Sequence, residues 1–147
     1  MIALETRLAV QDFVTEFQRR LDRFEPLADL LTADVTFSNG AIEIRGRDAF
    51  ERHFAQRPDR QGVSVRHCWQ NLTVRAANAT IEASYLVQAF HSARTAPTQL
   101  ASLHVGDATD RLVWEGDRLL LAASRFTSAL KWTAEPAPAA PVLQAGK

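Results

Sequence analysis

The sequence predicts an α+β protein: a cone-shaped, strongly curved, mostly antiparallel sheet wrapped around helices, with an internal cavity. Three observations carry this. Between Ala3 and Phe24 apolar side chains recur every three to four residues, which is the helical period. Asn39-Gly40 is a hairpin signal between two short apolar stretches. From Val63 onward, long stretches with alternating apolar and polar residues are joined by tight turns, as in an antiparallel meander. Helices first and a sheet after them is an α+β order. A curved sheet of this kind leaves an open mouth, a natural ligand cavity.

The first helix is predicted over Ala3 to Phe24, with Leu4, Leu8, Phe13, Val14, Phe17, Leu21 and Phe24 as its apolar stripe. Asp22 sits in its last turn, where a carboxylate faces the negative end of the helix dipole. Pro26 suits the start of a short second helix, Leu27 to Leu31. A strand from Asp34 to Ser38, the Asn39-Gly40 turn and a return strand, Ile42 to Arg45, follow. Gly46 breaks the chain, and a third helix runs from Arg47 to about Gln56. Phe50 and Phe54 form its buried stripe, and His53 is expected at the surface. Pro58 and Gly62 mark a loop over Arg57 to Gly62.

The strand Val63 to Val74 places Val63, Val65, His67, Trp69 and Asn71 on one face, because successive side chains alternate. His67 is the strongest candidate for a reactive group, against the plainer reading of a core histidine bonded to a backbone carbonyl. The next strand, Ala79 to His91, turns its odd positions inward and so delivers Tyr85 and His91, ~20 Å apart if fully extended. His91 is either an acid or a polar strand end. The strand Leu100 to Trp114 carries His104 and Asp110, and both of its faces are mixed. The last strand, Arg118 to Ala129, puts Arg125 beside Leu119, Leu121, Ala123 and Thr127. Arginine among apolar neighbours needs an anion, either Asp110 or a ligand carboxylate. Residues 1–133 thus form one domain, and the Ala/Pro-rich 134–147 reads as a disordered tail.

Composition narrows the function classes. The 17 basic and 17 acidic residues cancel and form no basic block, which argues against nucleic acid. No apolar run approaches the ~20 residues of a membrane span, and acidic Glu5 and Asp12 are out of place in a signal peptide. Cys68 is the single cysteine, so no internal disulfide can form, which fits a cytoplasmic protein. There is no His-x-His and no cysteine pair, so no metal is expected. Phe90, Leu86, Leu120 and Phe126 are expected on the exposed side of the sheet, an apolar patch that predicts a homodimer or homotrimer.

Several local motifs resemble the SnoaL-like group of the nuclear transport factor 2-like fold. They are Leu21-Asp22, Ala33-Asp34-Val35, Gly46-Arg47-Asp48-Ala49-Phe50, Arg66-His67 with Asn71, Asp110-Arg111-Leu112-Val113 and the closing strand with Arg125. The resemblance spans about residues 4–130. It implies cofactor-free acid–base chemistry like that of scytalone dehydratase, bile-acid dehydratases and hexachlorocyclohexane dehydrochlorinase. Asp22 and His67 match that group's catalytic pair, and His91 falls near a second histidine of scytalone dehydratase. Asp110 and Arg125 match positions of polar pocket residues, to which Trp69, Asn71 and Tyr85 are added as candidate ligand contacts. The implied function is a dehydratase, isomerase (lyase class included) or polyketide cyclase acting on a small hydrophobic or aromatic metabolite. The alternatives are a non-catalytic ligand-binding or assembly domain, or the small subunit of a ring-hydroxylating dioxygenase.

Overall fold

In the computed structural model, which describes residues 2–54, 62–96 and 98–134, two α-helices lie with one six-stranded mixed sheet. Helix α1 is Leu4–Arg23 and α2 is Arg47–Phe54. The strands are β1 (Leu31–Ser38), β2 (Glu43–Arg45), β3 (Val63–Ala77), β4 (Thr80–Ala93), β5 (Ser102–Glu115) and β6 (Arg118–Thr133). Their order across the sheet is β2-β1-β6-β5-β4-β3. Only β1 and β6 run parallel; the other neighbours are antiparallel. The expected end of the helix at Gln56, nearly all of the Arg57–Gly62 loop, Pro97 and the tail after Ala134 lie outside the described residues.

The face of α1 follows its periodicity. Val10, Phe13, Val14, Phe17 and Leu21 are buried. Leu4 and Leu8, expected on the same stripe, are 68% and 51% exposed. Periodicity marks a face but does not say how far other elements extend beneath it. The helix stops at Phe24, which takes a left-handed φ of 55°, while the Glu25 N–H donates to the Arg20 carbonyl. Arg19 clasps Glu16 and Glu25, and Arg20 clasps Glu16 and Asp29, so the helix end is tied to the chain that leaves it. Arg19 and then Arg20 hold the Glu16 carboxyl down at about 2. The Leu27 N–H donates to the buried Glu51 carboxylate of α2, which anchors the same connection from the other side. The short second helix expected over Leu27 to Leu31 is a single 3₁₀ turn, Ala28–Leu30, and the strand begins at Leu31 rather than Asp34. At the hairpin, Asn39 Oδ1 accepts the N–H groups of Ala41 and Ile42, and Gly40 supplies a φ of 82°.

Bulges in β3 and β6 set which side chains face the helices. In β3, Asn71 has a φ of 59° and the register with β4 slips between Gln70 and Thr73. Trp69 therefore points inward with Val87, whereas beyond the bulge Leu72 and Val74 are the inward residues. Asn71 is exposed, which corrects its expected place on the cavity face. In β6, Arg111 pairs with Ala123 but Leu112 pairs with Leu121, so Ala122 is the extra residue. Past it the inward residues are Ser124 and Phe126, and Arg125 pairs with Thr109 on the outer face, exposed. This corrects the inward placement of Arg125 and the outward placement of Phe126. Leu120 is only 3% exposed, so it too is lost from the expected surface patch. The open question for β5 is settled by burial: Gly106, Ala108, Asp110 and Leu112 face inward.

The inner face of β4 and β5 is lined by small residues. Ala89 sits opposite His104, Val87 opposite Gly106 and Tyr85 opposite Ala108. Phe126 folds over Gly106: a Cβ there would overlap Phe126 Cζ and the Thr127 carbonyl oxygen and would lie 2.7 Å from Phe126 Cε2. A rotamer change can move the ring but not the carbonyl. Gly106→Ala is therefore expected to lower unfolding free energy by roughly 1–3 kcal/mol, the usual cost of overpacking. Urea denaturation followed by circular dichroism measures it.

Candidate functional site

The small residues of the inner face leave a cavity of about 300 Å³ beneath α1 and α2. Its walls are mainly aromatic and aliphatic: Phe17 and Leu21 of α1, Phe37 of β1, Phe50 and Phe54 of α2, and Phe126 of β6. Phe37 meets Phe54 edge to face at 4.9 Å, and Phe50 lies 4.6 Å from Phe54. This is a rigid apolar wall of the kind that encloses small ligands.

His67 enters the cavity from β3. Its Nδ1 lies 2.7 Å from Asp22 Oδ1, and its backbone N–H donates to the same oxygen at 2.9 Å. One carboxylate oxygen thus holds both the ring and the strand that carries it. Asp22 can do this because it occupies the last turn of α1, where the Arg19 and Arg20 clasps fix the helix end. An Nδ1–H donated to Asp22 leaves Nε2 as the ring's lone-pair nitrogen. Side-chain exposure is only 13% for His67 and 15% for Asp22, so the pair is largely shielded from water. Asp22 itself is not among the cavity-lining residues; it stands behind His67.

A second polar group lies on the strand surface deeper in the sheet. Tyr85 and Asp110 are 4% and 1% exposed, and the Tyr85 hydroxyl donates to Asp110 Oδ2 at 2.6 Å. Burial pushes the Asp110 carboxyl up to about 6, against the pull of Ser124 and Tyr85. Burial, followed by the neighbouring Asp110 charge, holds the Tyr85 hydroxyl well above its ordinary value of 10. Gln18 of α1, only 7% exposed, and Ser124 of β6 line the cavity beside Tyr85.

His91 lies at the other end, on the same inward face as Tyr85. Both line the one cavity, so the strand length between them is spanned by the cavity itself. Its Nδ1 is 3.3 Å from Ser102 Oγ, and its ring centroid is 5.2 Å from that of His104. Of the residues singled out in the sequence, His67, Tyr85 and His91 line the cavity, Asp22 and Asp110 stand behind two of them, and Trp69 packs on Tyr85 at 6.4 Å. Asn71 and Arg125 are outside the site. His53, expected at the surface, lines the cavity and packs 4.7 Å from Phe54 and 6.4 Å from Phe37. Its spacing three residues after the buried Phe50 was the signal for this. Gln18 falls within the buried stripe of α1, a polar residue where the period asks for an apolar one. Ser124 and Phe126 depend on the bulge at Ala122 and carry no sequence signal. Cys68 is exposed, on the parity opposite to His67. Among the described residues no three His, Cys, Asp or Glu side chains gather as a metal site, and no helix is long and apolar enough to cross a membrane.

The SnoaL-like domain family matches residues 3–125, and the chain belongs to that family. The fold is nuclear transport factor 2-like. A scytalone dehydratase candidate from Novosphingobium aromaticivorans superposes with a TM-score of 0.78 at 17% identity, covering 97% of each chain. A protein from Catenulispora acidiphila in complex with S-DNPA gives a TM-score of 0.73 at 23% identity, over 86% of this chain and 95% of that one. A type 2 hexachlorocyclohexane dehydrochlorinase gives 0.74 at 14% identity, over 95% of each. At these identities the likeness is one of fold. No curated protein matches the chain.

The buried Asp110 has a consequence for stability. Its folded value, about 6, lies above the ordinary 3.8. A carboxyl raised in this way favours the folded state most below pH ~4, and that contribution is lost as pH rises through about 6. Asp110→Asn removes the titration. Its stability relative to the parent protein is expected to rise between pH 4 and pH 7 by on the order of 2–3 kcal/mol. Urea unfolding across that pH range is the measurement, and a constant difference would refute the assignment.

Proposed function

We propose that the chain binds a small hydrophobic or aromatic metabolite in its cavity and carries out cofactor-free dehydration, isomerisation or cyclisation with Asp22 and His67. The single observation that carries this is the 2.7 Å contact between Asp22 Oδ1 and His67 Nδ1, at a ring that lines an apolar cavity. A neutral imidazole whose Nδ1–H is held by a carboxylate presents Nε2 as a base. It removes a proton from a carbon beside a carbonyl or beside a carbon bearing a leaving group. The carboxylate then stabilises the imidazolium that forms, as in other carboxylate–histidine pairs. The apolar walls support the step by excluding water, which strengthens that ion pair.

In the dehydration form of the reaction, His67 takes the carbon-bound proton and the electron pair forms the double bond. The departing hydroxyl takes a proton from His91 and leaves as water. His91 sits one rung along the sheet, since His67 pairs with Ala89 and Val65 pairs with His91. The ligand would then lie over Ala89, whose methyl group leaves room for it. Tyr85, bonded to Asp110, faces the ligand from the far end of the cavity.

A screen of β-hydroxy carbonyl compounds and hydroxylated aromatic compounds for loss of water or isomerisation, followed by ultraviolet absorbance, would identify a substrate. With it, Asp22→Asn and His67→Ala are each expected to lower kcat by roughly 10²–10⁴-fold. Circular dichroism should show both variants folded. Full activity in either one would remove the pair from the mechanism.

A further inference from the structure

All four histidines of the chain, His53, His67, His91 and His104, line the one cavity, and none of its described lining residues is a carboxylate. The two nearby carboxylates stand behind the lining, Asp22 bonded to His67 and Asp110 bonded to Tyr85. Strand register arranges the imidazoles. His67, Ala89, His104 and Lys131 are successive partners across β3, β4, β5 and β6. Directly paired residues project to the same side of a sheet. His104 therefore faces His67 across the methyl of Ala89, two strand spacings or ~10 Å away, with Lys131 on its other side. His91 lies beside His104 with ring centroids 5.2 Å apart.

We propose that this end of the cavity is a binding site for the anionic group of a ligand, a carboxylate on an apolar aromatic body, held by His91 and His104 with Lys131 behind them. The aromatic walls take the body, and the imidazoles with Lys131 behind them take the charge. Among the described residues, the titratable groups around His104 are His91 from β4, Lys131 from β6 and His67 with its Asp22 from β3 and α1, while His53 of α2 lines the same cavity. The β1–β2 hairpin contributes only uncharged Phe37, Asn39 and Ile42 to the described lining. Burial, and then the Lys131 charge, hold His104 below its ordinary value of 6.5, so it resists protonation in the empty site. A bound carboxylate offsets both effects and draws a proton onto His104. Affinity therefore rises as pH falls, and ligand binding takes up a proton.

This inference rests on the cavity being the ligand site but not on the chemistry of Asp22 and His67. The test compares 2-naphthoate with its uncharged isostere 2-naphthamide by isothermal titration calorimetry from pH 5.5 to pH 8, in buffers of different ionisation enthalpy. The expected result is tighter binding of 2-naphthoate, with its advantage growing roughly tenfold toward pH 5.5 and with proton uptake. His104→Gln and Lys131→Gln should each reduce the ratio of 2-naphthoate to 2-naphthamide affinity. Equal binding of the two probes at every pH overturns the anion site and leaves the cavity reading standing. No binding of either overturns both. An advantage lost in His67→Gln but kept in His104→Gln places the anion at the Asp22–His67 pair and overturns the assignment to this end.

Discussion

The seating of α1 on the inner face of the sheet, with its C-terminal end locked to β3 by Asp22, is the interaction on which the rest depends. The stripe Val10–Phe13–Val14–Phe17–Leu21 supplies the apolar contact, and Asp22 supplies a directional one. Burying such side chains contributes on the order of 1.5–3 kcal/mol each, but that attraction has no direction. The carboxylate adds direction by accepting both the ring and the backbone N–H of His67. The arginine clasps around Glu16, Glu25 and Asp29 are partly exposed and contribute little stability singly. Their effect is to hold the helix end where Asp22 can reach β3.

The cavity is the consequence of what the helices cannot fill. A helix packed on a sheet needs large side chains between them to exclude voids. Here β4 and β5 present Ala83, Ala89, Gly106 and Ala108 to the interior. α1 and α2 answer with rings that line the space rather than occupy it. Phe126 can enter only because position 106 has no side chain. The polar groups are then distributed along the cavity. The Asp22–His67 pair stands on one side, Tyr85 and Asp110 lie deep in the sheet, and His91 and His104 sit at the far end. Asp110, at 1% exposure, is a carboxyl that burial raises, to about 6.

A family match over residues 3–125 and superposition on structures at 13–24% identity describe a scaffold shared by many proteins. A scaffold does not fix a reaction. This chain's own lining carries four imidazoles, one tyrosine and no carboxylate at the surface of the cavity among the described residues.

Local sequence determined the elements whose signal is local. The helical period of α1, the Asn39-Gly40 turn and the alternation of β4, with Leu86 and Phe90 as its apolar exceptions, all depend on residues close in the chain, and each was legible there. Parity alone was enough to turn His67, Tyr85 and His91 inward, and the motif resemblance named Asp22 as the partner of His67. Tertiary structure decided the rest. One extra residue in a strand inverts every face beyond it. The bulges at Asn71 and Ala122 therefore moved Asn71 and Arg125 out of the site and brought Ser124 and Phe126 in. The placement of His104 depends on knowing which face of β5 the helices cover. Such contacts join residues far apart in sequence, and no local pattern of propensity or period records them.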